Sequence, residues 1–329
     1  MSELQVGLLA IGAAVVAGVL VYNRLQERGA QRAAERAFRS EHADALLDAP
    51  AGPARDPAEP ARPVSHRPPP PQPTAQPDPA IDYIVEISAA RPGAQATVQE
   101  EWPAIERRHA RRALIAASPD GTSWRAALQL VSRDGAVGEA DLIEFRSAIE
   151  TLAALIGGTA AAPEMRAAVD AARQLDEFCA ETDVQVVIHV QGGPFPGTKI
   201  RAAAEASGLA LEPGGRFALR NDDQQLLFTL GAQDGTAFSA ATMKDAAPAG
   251  LSLALDVART PDTRRSFESM ARLAHQLASV LGGSIVDDNG RALDERAVGA
   301  IAQQLDAVRA LLEAKGIAPG SPAALRLYS

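Results

Sequence analysis

LSLALDV at residues 251–257, followed after a short break by SFESMARLAHQLASVLGG at residues 266–283, is the stretch whose reading decides the fold. Leu251, Leu253, Leu255 and Val257 alternate with smaller or polar residues, the period of a strand with one buried face. The spacing then becomes helical. Phe267, Met270, Leu277, Val280 and Leu281 share one side of a helix over Thr263–Leu281. Gly282-Gly283 closes it, as expected where the chain leaves a helix through positive φ. A strand leading into a helix that must cover an apolar sheet face predicts an α+β arrangement.

The same order occurs upstream. The strand WRAALQLV, residues 124–131, leads to a helix over Glu139–Ile156 with Leu142, Phe145, Leu152, Leu155 and Ile156 on one side, closed by Gly157-Gly158. A second helix follows in each case, so the chain reads as a duplicated unit. Further strands are expected at Ile81–Ile87, Arg112–Ala117, Val184–Val190, Phe217–Arg220 and Leu226–Leu230, and helices at Pro163–Cys179, Thr198–Ser207 and Glu295–Lys315. Pro119-Asp120-Gly121 and Asn221-Asp222-Asp223 read as hairpin turns, which makes the pairing antiparallel. The expectation is an antiparallel sheet covered on one face by helices, in two related halves, 81–181 and 182–316, with 317–329 a C-terminal tail.

Before this folded part, residues 49–80 (APAGPARDPAEPARPVSHRPPPPQPTAQPDPA) are proline-rich. Proline removes amide donors and fixes φ, so the segment predicts an extended, disordered linker. At about 3.1 Å per residue it reaches on the order of 100 Å. Upstream again, VGLLAIGAAVVAGVLVY from Val6 to Tyr22 carries no charge and is close to the roughly 20 residues that span hydrocarbon. Arg24, Arg28 and Arg32 follow it, and the reverse charge order of a secretory signal predicts an uncleaved anchor over 1–23. By the positive-inside rule the short N-terminus is expected outside and everything after Tyr22 on the cytoplasmic side. The helix expected over 24–48 either grips anionic headgroups, at about 1 kcal/mol per arginine, or is a plain stop-transfer flank.

Whole-chain composition narrows the function. A net charge of -9 argues against nucleic-acid binding, which needs clustered cations. The single cysteine, Cys179, excludes an intramolecular disulfide and favours a reducing compartment. Aromatic residues make up 4% of the chain, so few large anchors are on offer for an interface.

From about Val184 to Gly316 the residues resemble the C-terminal domain of the bacterial cell-division protein ZipA. The resemblance is carried by VQVVIHV, AAAEASGL, LLFTLG, GTAF and MKDAAPAGLSLALDV, and most specifically by SFESMARLAHQLASVLGGSIVDDNGRALDE. The layout of one span, a charged stretch and a Pro/Gln-bearing tether is also similar to that family. The resemblance implies a membrane-anchored adaptor at the bacterial inner membrane that binds the C-terminal peptide of the tubulin-like protein FtsZ on an exposed sheet face and tethers the Z ring.

Strand alternation transfers that face onto this chain. Val186, Ile188, Val190, Phe228, Leu230, Leu253, Leu255 and Val257 are expected under the helices. Gln185, Val187, His189, Leu227, Thr229, Ser252 and Ala254, with Gly231 and Asp256, then form the outer, partner-binding face. This set is more polar than the family's, and less buried area at about 25 cal/mol per Å² means weaker docking or another surface. Tyr83, Trp102 and Trp124 of the first half are candidates for that surface. Catalytic and metal chemistry finds no support: the five histidines lack zinc spacing, Asp287-Asp288-Asn289-Gly290 lacks the rest of a calcium loop, and the glycine pairs fit no phosphate fingerprint. Neither enzyme nor cofactor is expected. A self-associating scaffold and a small-ligand sensor with a cleft between the halves stand as alternatives.

Overall fold

The computed structural model describes residues 76–89, 94–109 and 112–329. The expected span, its flank at Arg24, Arg28 and Arg32, and the linker up to residue 75 lie outside them. No helix among the described residues is long and apolar enough to cross a membrane.

The first half runs β1 (Asp82–Ser88), α1 (Ala94–Arg108), β2 (Ala113–Ala117), β3 (Ser123–Gln129), the small hairpin β4 (Val131–Ser132) and β5 (Gly135–Ala136), α2 (Glu139–Leu155), β6 (Thr159–Ala161) and α3 (Met165–Thr182). Its four-stranded sheet has the order β2-β3-β1-β6. The second half runs β7 (Gln185–Gln191), α4 (Gly197–Ala206), β8 (Ala210–Leu211), β9 (Phe217–Arg220), β10 (Leu226–Ala232), β11 (Gly250–Asp256), α5 (Thr263–Leu281), β12 (Ser284–Val286) and α6 (Glu295–Ala314), then a short α7 (Pro322–Leu327). Its six-stranded sheet has the order β12-β7-β11-β10-β9-β8. All pairings in both sheets are antiparallel.

The two halves trace one circuit. Reading β1 as β7, β2 as β10, β3 as β11, β6 as β12 and α1, α2, α3 as α4, α5, α6 turns the first sheet order into the core of the second. The helix contacts follow the same rule, α2 lying on β1, β3 and β6 and α5 on β7, β11 and β12. Register agrees residue by residue: Ile87 faces Trp124 and Ala160, and Val190 faces Leu251 and Ile285. The strand alternation read from 251–257 is the cause, since it leaves one face of each sheet apolar and one helix layer to cover it.

The two glycines of each pair do different work. Gly157 and Gly282 take φ of 65° and 74° and end their helices, as the capping reading expects. Gly158 and Gly283 have another reason. A Cβ on Gly158 would lie 2.2 Å from the Ser88 carbonyl oxygen, and one on Gly283 would lie 2.6 Å from that of Gln191. Ser88 and Gln191 are equivalent strand positions, so glycine lets the edge strand close onto the same carbonyl in both halves.

Each half has its own core, Phe145, Leu128 and Ile149 in the first, Phe228, Phe267 and Met270 in the second. Tyr83 and Trp124 belong to the first core, 3% and 2% exposed, and half-buried Trp102 packs against it. Tyr83 and Trp124 therefore do not supply a docking surface, because parity puts them on the helix side of the sheet. Residues 317–329 return to the first half. Ile317, Ala323, Ala324, Leu327 and Tyr328 are buried in its core, and the Tyr328 hydroxyl lies 2.6 Å from Thr182 Oγ1.

Candidate partner-binding face

Helices cover the inner side of the second sheet, where Ile188, Val190, Phe228, Leu230, Leu253, Leu255 and Val257 are buried and Val186 half-buried. The structure brings the residues expected on the outer side together through register. Val187 faces Ala254, Ala254 faces Thr229, and Thr229 faces Ala218, one row across β7, β11, β10 and β9. The next row holds Val286, His189, Ser252 and Gly231. Gln185 lies opposite Asp256 at the end of the face and is exposed, whereas Val187, His189, Leu227, Thr229, Ser252 and Ala254 are half-buried by their neighbours.

His189 organises the polar part. Its Nδ1 lies 2.9 Å from Ser252 Oγ and its Nε2 lies 2.8 Å from Asp288 Oδ1. With Asp288 accepting the Nε2 proton, Nδ1 is left to accept from the Ser252 hydroxyl. A serine, an imidazole and a carboxylate in line are the parts of an acyl-transfer site. Here Ser252 sits in the central strand β11, flanked by ladders to β7 and β10, so its neighbouring amides are already used and none converges as an oxyanion donor. The trio instead orders three polar side chains on a flat face.

Asp288 is the contributor the sequence reading missed. Residues Asp287–Gly290 form a tight turn, with Asp287 Oδ1 accepting from the Asn289 and Arg291 amides and Gly290 at φ 73°. It aims the next carboxylate at a histidine far along the chain, a pairing that no local signal announces. Arg216 is the other addition: its side chain crosses Gly231, with Cγ 3.4 Å from where a Cβ would be. Burial raises the Asp256 carboxyl above its usual range, partly countered by the Arg259 amide that donates to it.

The equivalent outer face of the first sheet is more apolar in one row and charged in the next. Ile84, Ala127 and Leu114 occupy the positions of Val187, Ala254 and Thr229, while Glu86, Arg125 and Ala116 occupy those of His189, Ser252 and Gly231. Among the described residues no cluster suits a metal ion. A surface cleft lined by Asp262, Arg264, Asp306, Arg309 and Glu313 has both its arginines paired, Arg264 with Glu268 and Asp306 and Arg309 with Glu313. Burial pushes the Cys179 thiol up to about 11, away from the thiolate a nucleophile needs.

Residues 184–304 match the family described as ZipA, C-terminal FtsZ-binding domain. The match starts just before β7 and ends within α6, so it takes in the whole outer face and none of the first half. No curated protein matches the chain.

Proposed function

We propose that this protein is a cell-division adaptor, held at the bacterial inner membrane by its N-terminal apolar stretch, that binds the C-terminal peptide of FtsZ and tethers Z-ring filaments through its proline-rich linker. The observation that carries the reading is the FtsZ-binding family match lying over the half whose outer sheet face is left open by the helices. Binding rather than catalysis is the proposed role.

The docking row is Val187, Ala254 and Thr229, with Leu227 beside it. Its apolar area is small, and His189, Ser252 and Asp288 already satisfy one another, so they gain little from a new partner. A single contact is therefore weak, at micromolar dissociation constants or above. Many tethers on one filament compensate, because a linked second contact forms at high effective concentration.

The test is fluorescence anisotropy of residues 76–329 with a labelled FtsZ C-terminal peptide of the same organism. Saturable binding weakened at least about tenfold by Val187→Asp, a loss of roughly 1.4 kcal/mol, is the expected result. Binding untouched by that change but removed by Ile84→Asp would move the site to the first half. No binding at high micromolar peptide would leave the self-associating scaffold as the better account.

A further inference from the structure

The outermost strand of the first sheet is β2, whereas its counterpart β10 is followed on the same side by β9 and β8. The repeat thus shows what covers this edge in one half. Among the described residues nothing pairs with it in the other, where β2 pairs with β3 alone. The free groups can be assigned. The Gln129 amide donates to the Arg112 carbonyl at 3.1 Å, and the Ser118 amide to the Ser123 carbonyl at 2.8 Å. Peptide groups alternate in direction along a strand, so Leu114 and Ala116 also turn toward β3. Ala113, Ile115 and Ala117 turn their N–H and C=O outward.

Natural edges are blunted by charge, proline or a bulge. β2 reads ALIAA, has none of the first two, and keeps unbroken register with β3. We infer that β2 is a self-pairing edge, on which two copies of this chain join their first sheets antiparallel about a two-fold axis at Ile115. A two-fold contact must suit its own inverted copy. Here Ile115 meets Ile115 of the second copy, and Ala113 meets its Ala117, so no like charges oppose and no bulk intervenes. The ends of the strand are complementary: Arg112 comes opposite Ser118 of the second copy, with exposed Asp120 just beyond. This goes beyond the adaptor reading and does not depend on it. A paired tether would present two FtsZ-binding domains to one filament.

The test is disulfide cross-linking of the full chain in detergent micelles, in a Cys179→Ala background that removes the single native cysteine. In the inferred register Leu114 lies opposite Ala116 of the second copy, with both side chains on the outer face. Such a pair has Cα atoms about 4.5 Å apart, inside the roughly 4.4–6.8 Å that a disulfide spans. A mixture of differently tagged L114C and A116C chains is expected to cross-link at least about tenfold more than either alone, since like positions lie two residues out of register. Adding Ala117→Pro to both chains removes an outward amide without touching the bonds to β3, and is expected to abolish the product while leaving circular dichroism unchanged. No mixed product, homotypic products of equal yield, or a yield indifferent to Ala117→Pro in a folded chain would each overturn the inference.

Discussion

Arg326, near the C-terminus, clamps Asp82 at the start of β1 through two bonds, Nη2 to Oδ1 at 2.6 Å and Nη1 to Oδ2 at 3.0 Å. The Asp82 side chain is fully buried and that of Arg326 is 16% exposed. Removing one member of such a pair strands the other charge, so Arg326→Ala is expected to destabilise the folded part by about 3 kcal/mol or more. Urea unfolding of residues 76–329 reads this directly. A loss under about 1 kcal/mol, the value of an exposed pair, would show that water replaces the clamp.

The glycine pairs make a ranking prediction. Gly157→Ala and Gly282→Ala place a Cβ in open space at positive φ and are expected to cost about 1–2 kcal/mol each. Gly158→Ala and Gly283→Ala drive a Cβ into a backbone carbonyl and are expected to cost more, upwards of about 3 kcal/mol, with loss of the β6 or β12 pairing. Chemical denaturation of the four single variants supplies the order, and the reverse order would refute the close-approach explanation.

His109 sits edge-on to Phe145 with ring centroids 5.3 Å apart, and its Nε2 is buried without a partner among the described residues. Burial holds its pKa below the ordinary value, with the Glu144 carboxylate opposing. The unfolded chain then binds a proton near pH ~6.5 that the folded chain refuses, so stability is lost as pH falls through that value. His109→Leu is expected to flatten this part of the stability profile, measured by urea unfolding between neutral and mildly acid pH. An unchanged slope would clear His109 of the effect.

Asp256 works in the opposite direction. Its folded-state pKa is raised, chiefly by burial, so the folded chain holds the proton more tightly than the unfolded one. Stability therefore falls as pH rises just above the ordinary carboxylate range. Asp256→Asn keeps the oxygen that accepts from the Arg259 amide at 3.1 Å and removes the charge. It is expected to raise the melting temperature at neutral pH and to leave it unchanged at pH ~3. A drop at neutral pH would mean that the carboxylate has a stabilising partner.

Much of the fold was legible because burial imposes period on sequence. Helix α5 and strand β9 fall on the residues expected of them, Thr263–Leu281 and Phe217–Arg220. Helix α1 was missed. It buries only Ala94, Val98 and Ile105, contains Pro103, and has the low apolar content of a loop. The short strands β6 and β8 were missed for a related reason, since two or three residues carry no period.

Sequence by itself determined the inner and outer sets of the second sheet and the duplicated order of elements, and it carried the resemblance of the second half to an FtsZ-binding family, all encoded in residues near one another along the chain. Only tertiary structure decided what those sets meet. The pairing of His189 with Asp288, the approach of Gly158 to Ser88, the return of Arg326 to Asp82 and the open edge of β2 join residues far apart in sequence. Each is fixed by how packed layers bring distant backbone together, and local propensity has no term for that.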